Sequence, residues 1–162
     1  MRVLAIDPGY ERVGIAVLDK SYERGADRKE QWVHSETFKT SPKDEINARL
    51  FEVGARIKEL SAEYEPDVLA IENLFFANNA KTVMAVSQAR GIIMYAAHEC
   101  GLNIAEFTPL QIKAAVAGDG RADKKSVIAM TTKLVAIPDG KRLDDEYDAI
   151  ACGLTFFAHY RL

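Results

Sequence analysis

Residues 1–18, MRVLAIDPGYERVGIAVL, hold two short apolar runs on either side of a Pro-Gly turn. Val3, Leu4 and Ile6 are apolar and β-prone, so Arg2 to Asp7 reads as a strand. Pro8-Gly9 starts a turn. Val13 to Leu18 is a second strand, and so short a connection implies an antiparallel pair. The first run delivers a carboxylate, Asp7. The phrase occurs twice: Leu4-Ala5-Ile6-Asp7 and Leu69-Ala70-Ile71-Glu72. A third acidic cluster, Asp144-Asp145-Glu146-Tyr147-Asp148, opens the last helical pattern.

Outward from this stretch, Ser21 to Gln31 is polar and charged and reads as a loop. Trp32 to Phe38 is a third strand, so the chain opens with a meander. Lys43 to Glu65 is an amphipathic helix, with Ile46, Leu50, Val53, Ile57 and Leu60 at the helical period. Asp67 to Glu72 is a fourth strand. Asn79 to Cys100 is a helix with Val83, Val86, Ile92, Ile93 and Tyr95 as its apolar residues and Gly101 as its cap. Asn103 to Phe107 is a fifth strand. Thr108-Pro109 opens a short helix, with Pro at a favoured position, and Gly118-Asp119-Gly120 breaks it. Asp123 to Ala136 and Leu143 to Tyr160 are the last helices. Strand–helix alternation in the second half implies parallel neighbours. The expectation is one α/β domain over residues 1–162, with a mixed five-stranded sheet flanked by helices.

Composition fits that reading. The 162 residues are 48% hydrophobic and 28% charged, which is ordinary for a globular protein. No apolar run approaches the roughly 18–20 residues of a membrane span. The chain reads straight into a strand, so no signal peptide is expected, and a cytoplasmic location follows. Cys100 and Cys152 lack metal-type spacing and read as reduced and buried. Net charge is −3, but Asn73 to Arg142 carries nine Lys/Arg against five Asp/Glu, a net of +4. A locally basic stretch matters more for phosphate binding than the total; the alternative is a solvated surface of mixed charge.

Two strand-borne acids and one helix-borne pair suit a divalent metal site. Hard cations such as Mg²⁺ prefer carboxylate oxygens. Adjacent strands lie about 4.8 Å apart, so Asp7 and Glu72 could share an ion. Asp145 and Asp148, three residues apart, share one helix face. Two ions could clamp a scissile phosphate. Each acid also has a plain reading. Asp7 could be a turn aspartate, Glu72 a strand-end surface acid, and Asp144 or Asp145 a helix N-cap.

The stretches MRVLAIDPGYERVGIAVL, IENLFFANNAKTVMAVSQARG, FTPLQIKAAVAGDGRADKKSV and DDEYDAIA resemble, in order, the bacterial RuvC Holliday junction resolvases. The resemblance runs essentially end to end. It implies a ribonuclease-H-like fold, a homodimer, and nicking of two strands of four-way junction DNA in recombination and repair. It implies two Mg²⁺ per active site, with Mn²⁺ able to substitute, and branch-migration proteins as partners. Asp7, Glu72, Asp145 and Asp148 match the family's catalytic acids and so its metal ligands; Asp144 and Glu146 do not match. Phe75 matches an aromatic that stacks on a base near the junction centre, and Phe76 adjoins it. Lys113, Lys124 and Arg90 match basic positions near DNA or the active site, and Lys113 would stabilise charge at the scissile phosphate. Lys81, Arg121 and Lys125 are backbone-contact candidates on charge grounds. Small residues on the Asn79 helix, among them Ala85, Ala89 and Gly91, suit close packing, and in the family this helix dimerises. The Ser21–Glu30 loop and the acidic total charge depart from the family. Alternatives are a YqgF-type RNA nuclease of the same fold, a nucleotide-binding domain of the actin and sugar-kinase kind, and a junction-binding module without chemistry.

Overall fold

The computed structural model describes residues 1–22, 29–74 and 80–160, with the backbone alone for 80–82. The elements are β1 (Arg2–Asp7), β2 (Arg12–Asp19), β3 (Gln31–Lys39), α1 (Ile46–Tyr64), β4 (Val68–Glu72), α2 (Ala80–Glu99), β5 (Asn103–Phe107), α3 (Pro109–Ala117), α4 (Lys124–Leu134) and α5 (Asp144–His159). The five strands form one sheet in the order β3-β2-β1-β4-β5. β1 to β3 are an antiparallel meander, and β4 and β5 add in parallel. The mixed five-stranded sheet and its ribonuclease-H-like arrangement are as expected. α1 starts later than Lys43, because Asp44 N–H donates to the Ser41 carbonyl at 3.2 Å and turns the chain there.

Strand side chains alternate between faces, and here the two faces differ. Leu4 and Ile6 of β1, Val13, Ile15 and Val17 of β2, and Leu69 and Ile71 of β4 pack against Val53, Ile57 and Leu60 of α1 and Ile93, Ala96 and Ala97 of α2. Each fully buried aliphatic side chain contributes about 1.5–3 kcal/mol. Val3 and Ala5, Ala16 and Leu18, and Val68 and Ala70 point the other way, toward α3, α4 and α5.

On that second face α5 lies close to the strands. A Cβ at Gly153 would stand 2.8 Å from Leu18 Cδ1 and 3.1 Å from Ala5 Cβ. A Cβ at Gly14 would stand 1.9 Å from the Asp145 carbonyl oxygen and 3.1 Å from Asp7 Cβ. Position 14 is therefore glycine because the backbone of α5 occupies the space of a side chain.

Two sequence expectations fail. Cys100 is exposed, since it sits just past the last turn of α2; Cys152 is buried as expected. Tyr95 is 56% exposed, on the outer side of α2, with its hydroxyl donating to Glu99 at 2.6 Å.

Candidate active site

Alternation sets the two strand acids. Asp7 follows Val3 and Ala5, and Glu72 follows Val68 and Ala70, on the α5 face. Each stands one residue beyond the paired Ile6 and Ile71, so the two end adjacent parallel strands side by side. α5 brings the other pair. Its N-cap is Leu143, with no side-chain cap, and Asp144, Asp145 and Glu146 lie in its first turn. The N-cap reading of Asp144 and Asp145 is thereby excluded, while the helix dipole favours acids there. Asp145 reaches the strand acids through the contact at Gly14.

The charges interact strongly. Burial pushes the Asp7 carboxyl well above its usual range, and the Glu72, Asp148 and Asp145 carboxylates push it further, against Lys124. Burial also raises Glu72, to about 7, with Asp148 adding and Lys113 and Lys124 opposing. Asp148 is raised by burial, against a hydrogen bond from Lys124. Crowded buried carboxylates behave this way until a cation neutralises them. The buried Cys152, one turn beyond Asp148, has its thiol raised first by burial and then by Glu72 and Asp7. It is no nucleophile.

α3 and α4 wall the site on the β4 side. α3 begins in a capping box: Thr108 Oγ1 accepts from Gln111 N–H, and the Gln111 side chain accepts from Thr108 N–H. Asp123 caps α4, accepting from Ser126 N–H at 2.8 Å. These starts place Lys113 and Lys124 in a cleft of about 220 Å³ with Glu72, Asp148, Pro109, Ile112 and Val127. Lys124 Nζ lies 3.0 Å from Asp148 and 3.4 Å from Asp144.

The remaining expected residues scatter. Arg121 and Lys125 are exposed on the α3–α4 connection and the start of α4. Arg90 is tied to Glu106, on the face of the sheet away from the acids; its charge is already matched. Phe75 and Phe76 lie outside the described residues, and Lys81 is described by its backbone alone. Glu146 turns away from the acids: it accepts from Ser35 Oγ at 2.6 Å and pairs with Arg142 Nε at 2.9 Å, while Trp32 Nε1 donates to Ser35 Oγ at 2.8 Å.

Sequence reasoning missed Arg12, whose Nε lies 3.3 Å from Asp145 Oδ2. The one available signal was its place five residues after Asp7. Among the described residues, no three His, Cys, Asp or Glu side chains converge to hold an ion as they stand. Asp145 and Asp148 lean on Arg12 and Lys124 instead, and the buried Oδ2 of Asp145 accepts no hydrogen bond. Carboxylates crowded so closely that each raises its neighbours' affinity for protons suit a hard divalent cation, which takes the place of those protons.

The family model for crossover junction endodeoxyribonuclease RuvC matches residues 3–156. The chain is 36% identical over 162 residues to the crossover junction endodeoxyribonuclease RuvC of Syntrophomonas wolfei, covering all of this chain and 91% of that one. It is 40% identical over 154 residues to that of Clavibacter michiganensis, covering 95% and 74%. Among solved structures it is similar to Thermus thermophilus RuvC in complex with Holliday junction substrate, with a TM-score of 0.87, 31% identity, and 97% and 93% coverage.

Proposed function

The chain belongs to the family of crossover junction endodeoxyribonuclease RuvC, and from that premise we propose that it resolves four-way DNA junctions by paired nicking. One observation carries the site: alternation along β1 and β4 sets Asp7 and Glu72 beneath the first turns of α5, which bear Asp145 and Asp148. The whole chain acts as one nuclease domain in this reading.

Asp7, Glu72, Asp145 and Asp148 would hold two Mg²⁺, with Mn²⁺ able to substitute. When bound, such a pair supplies activation of water and stabilisation of the leaving oxygen. Lys113 lies in the cleft beside Glu72 and would offset the charge that develops on the phosphate. Lys124 orients Asp148 and balances its charge. Lys81, Arg121 and Lys125 would contact the DNA backbone, and Phe75, helped by Phe76, would stack on an unpaired base. Arg90, paired with Glu106, and Lys124 would complete the basic positions that face DNA.

Paired nicks need two sites, so the working form is a homodimer. The exposed Phe51, Met84 and Tyr95 on α1 and α2, with open space at Gly91, support that face as its interface. A two-fold dimer would set identical sites on opposing strands. Branch-migration proteins would deliver the junction. Among the described residues no helix is long and apolar enough to cross a membrane. The family match sets the YqgF-type and nucleotide-binding readings aside.

The test is cleavage of an end-labelled four-way junction, with Mg²⁺ or with EDTA, beside a linear duplex of the same sequence. Symmetric, ligatable nicks in the junction with metal alone are expected. Tight junction binding without any cutting would replace this reading with that of an inactive module.

A further inference from the structure

The acids sit at the end of the sheet where β1, β3, β4 and β5 finish and β2 begins. On the β4 side, Lys113 and Lys124 supply positive charge. On the β3 side a second cavity, also of about 220 Å³, opens between the β1–β2 turn, the end of β3 and the first turn of α1. Glu11, Arg12, Lys39, Thr40, Pro42 and Arg49 line it, three cations against one carboxylate.

Its floor is a buried charge. The Arg49 side chain is 8% exposed, and its Nε donates to Thr40 Oγ1 at 2.9 Å. Its guanidinium lies over the Tyr10 ring, 4.8 Å from the centroid. The carboxylate that pairs with it, Glu11, stands 3.9 Å away and is 61% exposed. A buried cation so loosely neutralised is costly unless an anion completes its shell. Lys39 is exposed at the rim, opposite Arg12 across the β2–β3 ladder. Arg12 belongs to both places: it lines this cavity, and it reaches over to Asp145.

We propose that this cavity is a subsite for a backbone phosphate of the DNA, and that Arg12 exchanges between Asp145 in the free protein and that phosphate in the complex. The inference rests on the nuclease reading above. A strand drawn across the acids would meet cations on both sides. A phosphodiester also offers a guanidinium the paired acceptor oxygens that suit it best. Once Arg12 leaves, Oδ2 of Asp145, which accepts no hydrogen bond, loses its ion-pair partner and is free for a cation. DNA and metal then bind with positive coupling, each strengthening the other by the same factor.

The experiment uses the full chain and reads binding. Junction affinity is measured in EDTA over a salt series for wild type, Arg12→Gln, Lys39→Gln and Lys125→Gln. Ca²⁺ is titrated by calorimetry into free and junction-bound protein. Arg12→Gln and Lys39→Gln should each weaken junction binding by roughly 3–10-fold and flatten the salt slope by about 0.9. Arg12→Gln alone should bind Ca²⁺ several-fold more tightly when free and lose most of the tightening that DNA gives. If both variants keep the wild-type slope while Lys125→Gln flattens it, there is no phosphate subsite. If Arg12→Gln weakens DNA binding but leaves Ca²⁺ affinity unchanged, the exchange is wrong. Wild type that binds neither junction nor duplex would overturn the junction-resolving reading, and this proposal with it.

Discussion

The two faces of the sheet are made by alternate residues of the same strands, yet they are built differently. Toward α1 and α2, β1 offers Leu4 and Ile6, and the gap is filled by large aliphatic side chains. Toward α5, β1 offers Val3, Ala5 and Asp7, and the facing helix answers with Ala149, Cys152 and Gly153. The first face gains stability from volume. The second, where β1 meets α5, gives up volume so that helix backbone comes near strand backbone, and the backbone of Asp145 lies beside Asp7, 138 positions earlier, at Gly14. Stability and chemistry are separated by the parity of a residue along a strand.

That separation can be broken in order of expected effect. Asp7→Asn should lower junction cleavage by about 10³-fold or more. Its melting temperature in EDTA should be unchanged or higher, because Asn is neutral without the proton that a buried Asp7 must take up; a variant that still cuts well would take Asp7 out of the site. Ile57→Ala, on the other face, should cost roughly 2–5 kcal/mol in urea unfolding while leaving cleavage per folded molecule intact. A large loss of specific activity there would mean that the faces are coupled.

pH offers a third probe. Glu72 titrates near 7 when folded, against 4.5 ordinarily. Between those values the folded chain holds a proton that the unfolded chain has released. Stability without metal therefore falls as pH rises through that window, and Asp7 and Asp148 act in the same direction. The effect should be about 1–3 kcal/mol, read as melting temperature in EDTA from pH 5 to 8. Glu72→Gln should flatten it; an unchanged slope would sink the assignment. The smallest effect is expected for Trp32→Phe, which removes the donor to Ser35 in the network that ends at Glu146. It should cost about 1 kcal/mol and leave cleavage unaltered in a single-turnover assay.

Much of this was legible in the chain. The period-two alternation of VLAID and VLAIE sets strand, face and acid at once, and the Thr108-Pro109 start and Gly118 stop bound α3 as read. What escaped depends on contacts between distant residues. Nothing near Arg12 in sequence announces Asp145, and nothing near Glu146 announces Ser35. Nothing near Arg90 announces its pairing with Glu106, sixteen residues on. Cys100 looked buried because it continues an apolar helix, and the helix ends just before it.

The position of α5 has a consequence for synthesis. Half of the acids, and ten buried residues of α5 on one side of the core, are made only after every strand of the sheet has been synthesised. A message broken anywhere before the codon for Asp144 yields a product without its second pair of acids and without the cover over Ala5, Ala16 and Ala70. Such a product should be cleared by proteases. It could not persist as a folded, inert binder competing with intact copies for the same DNA.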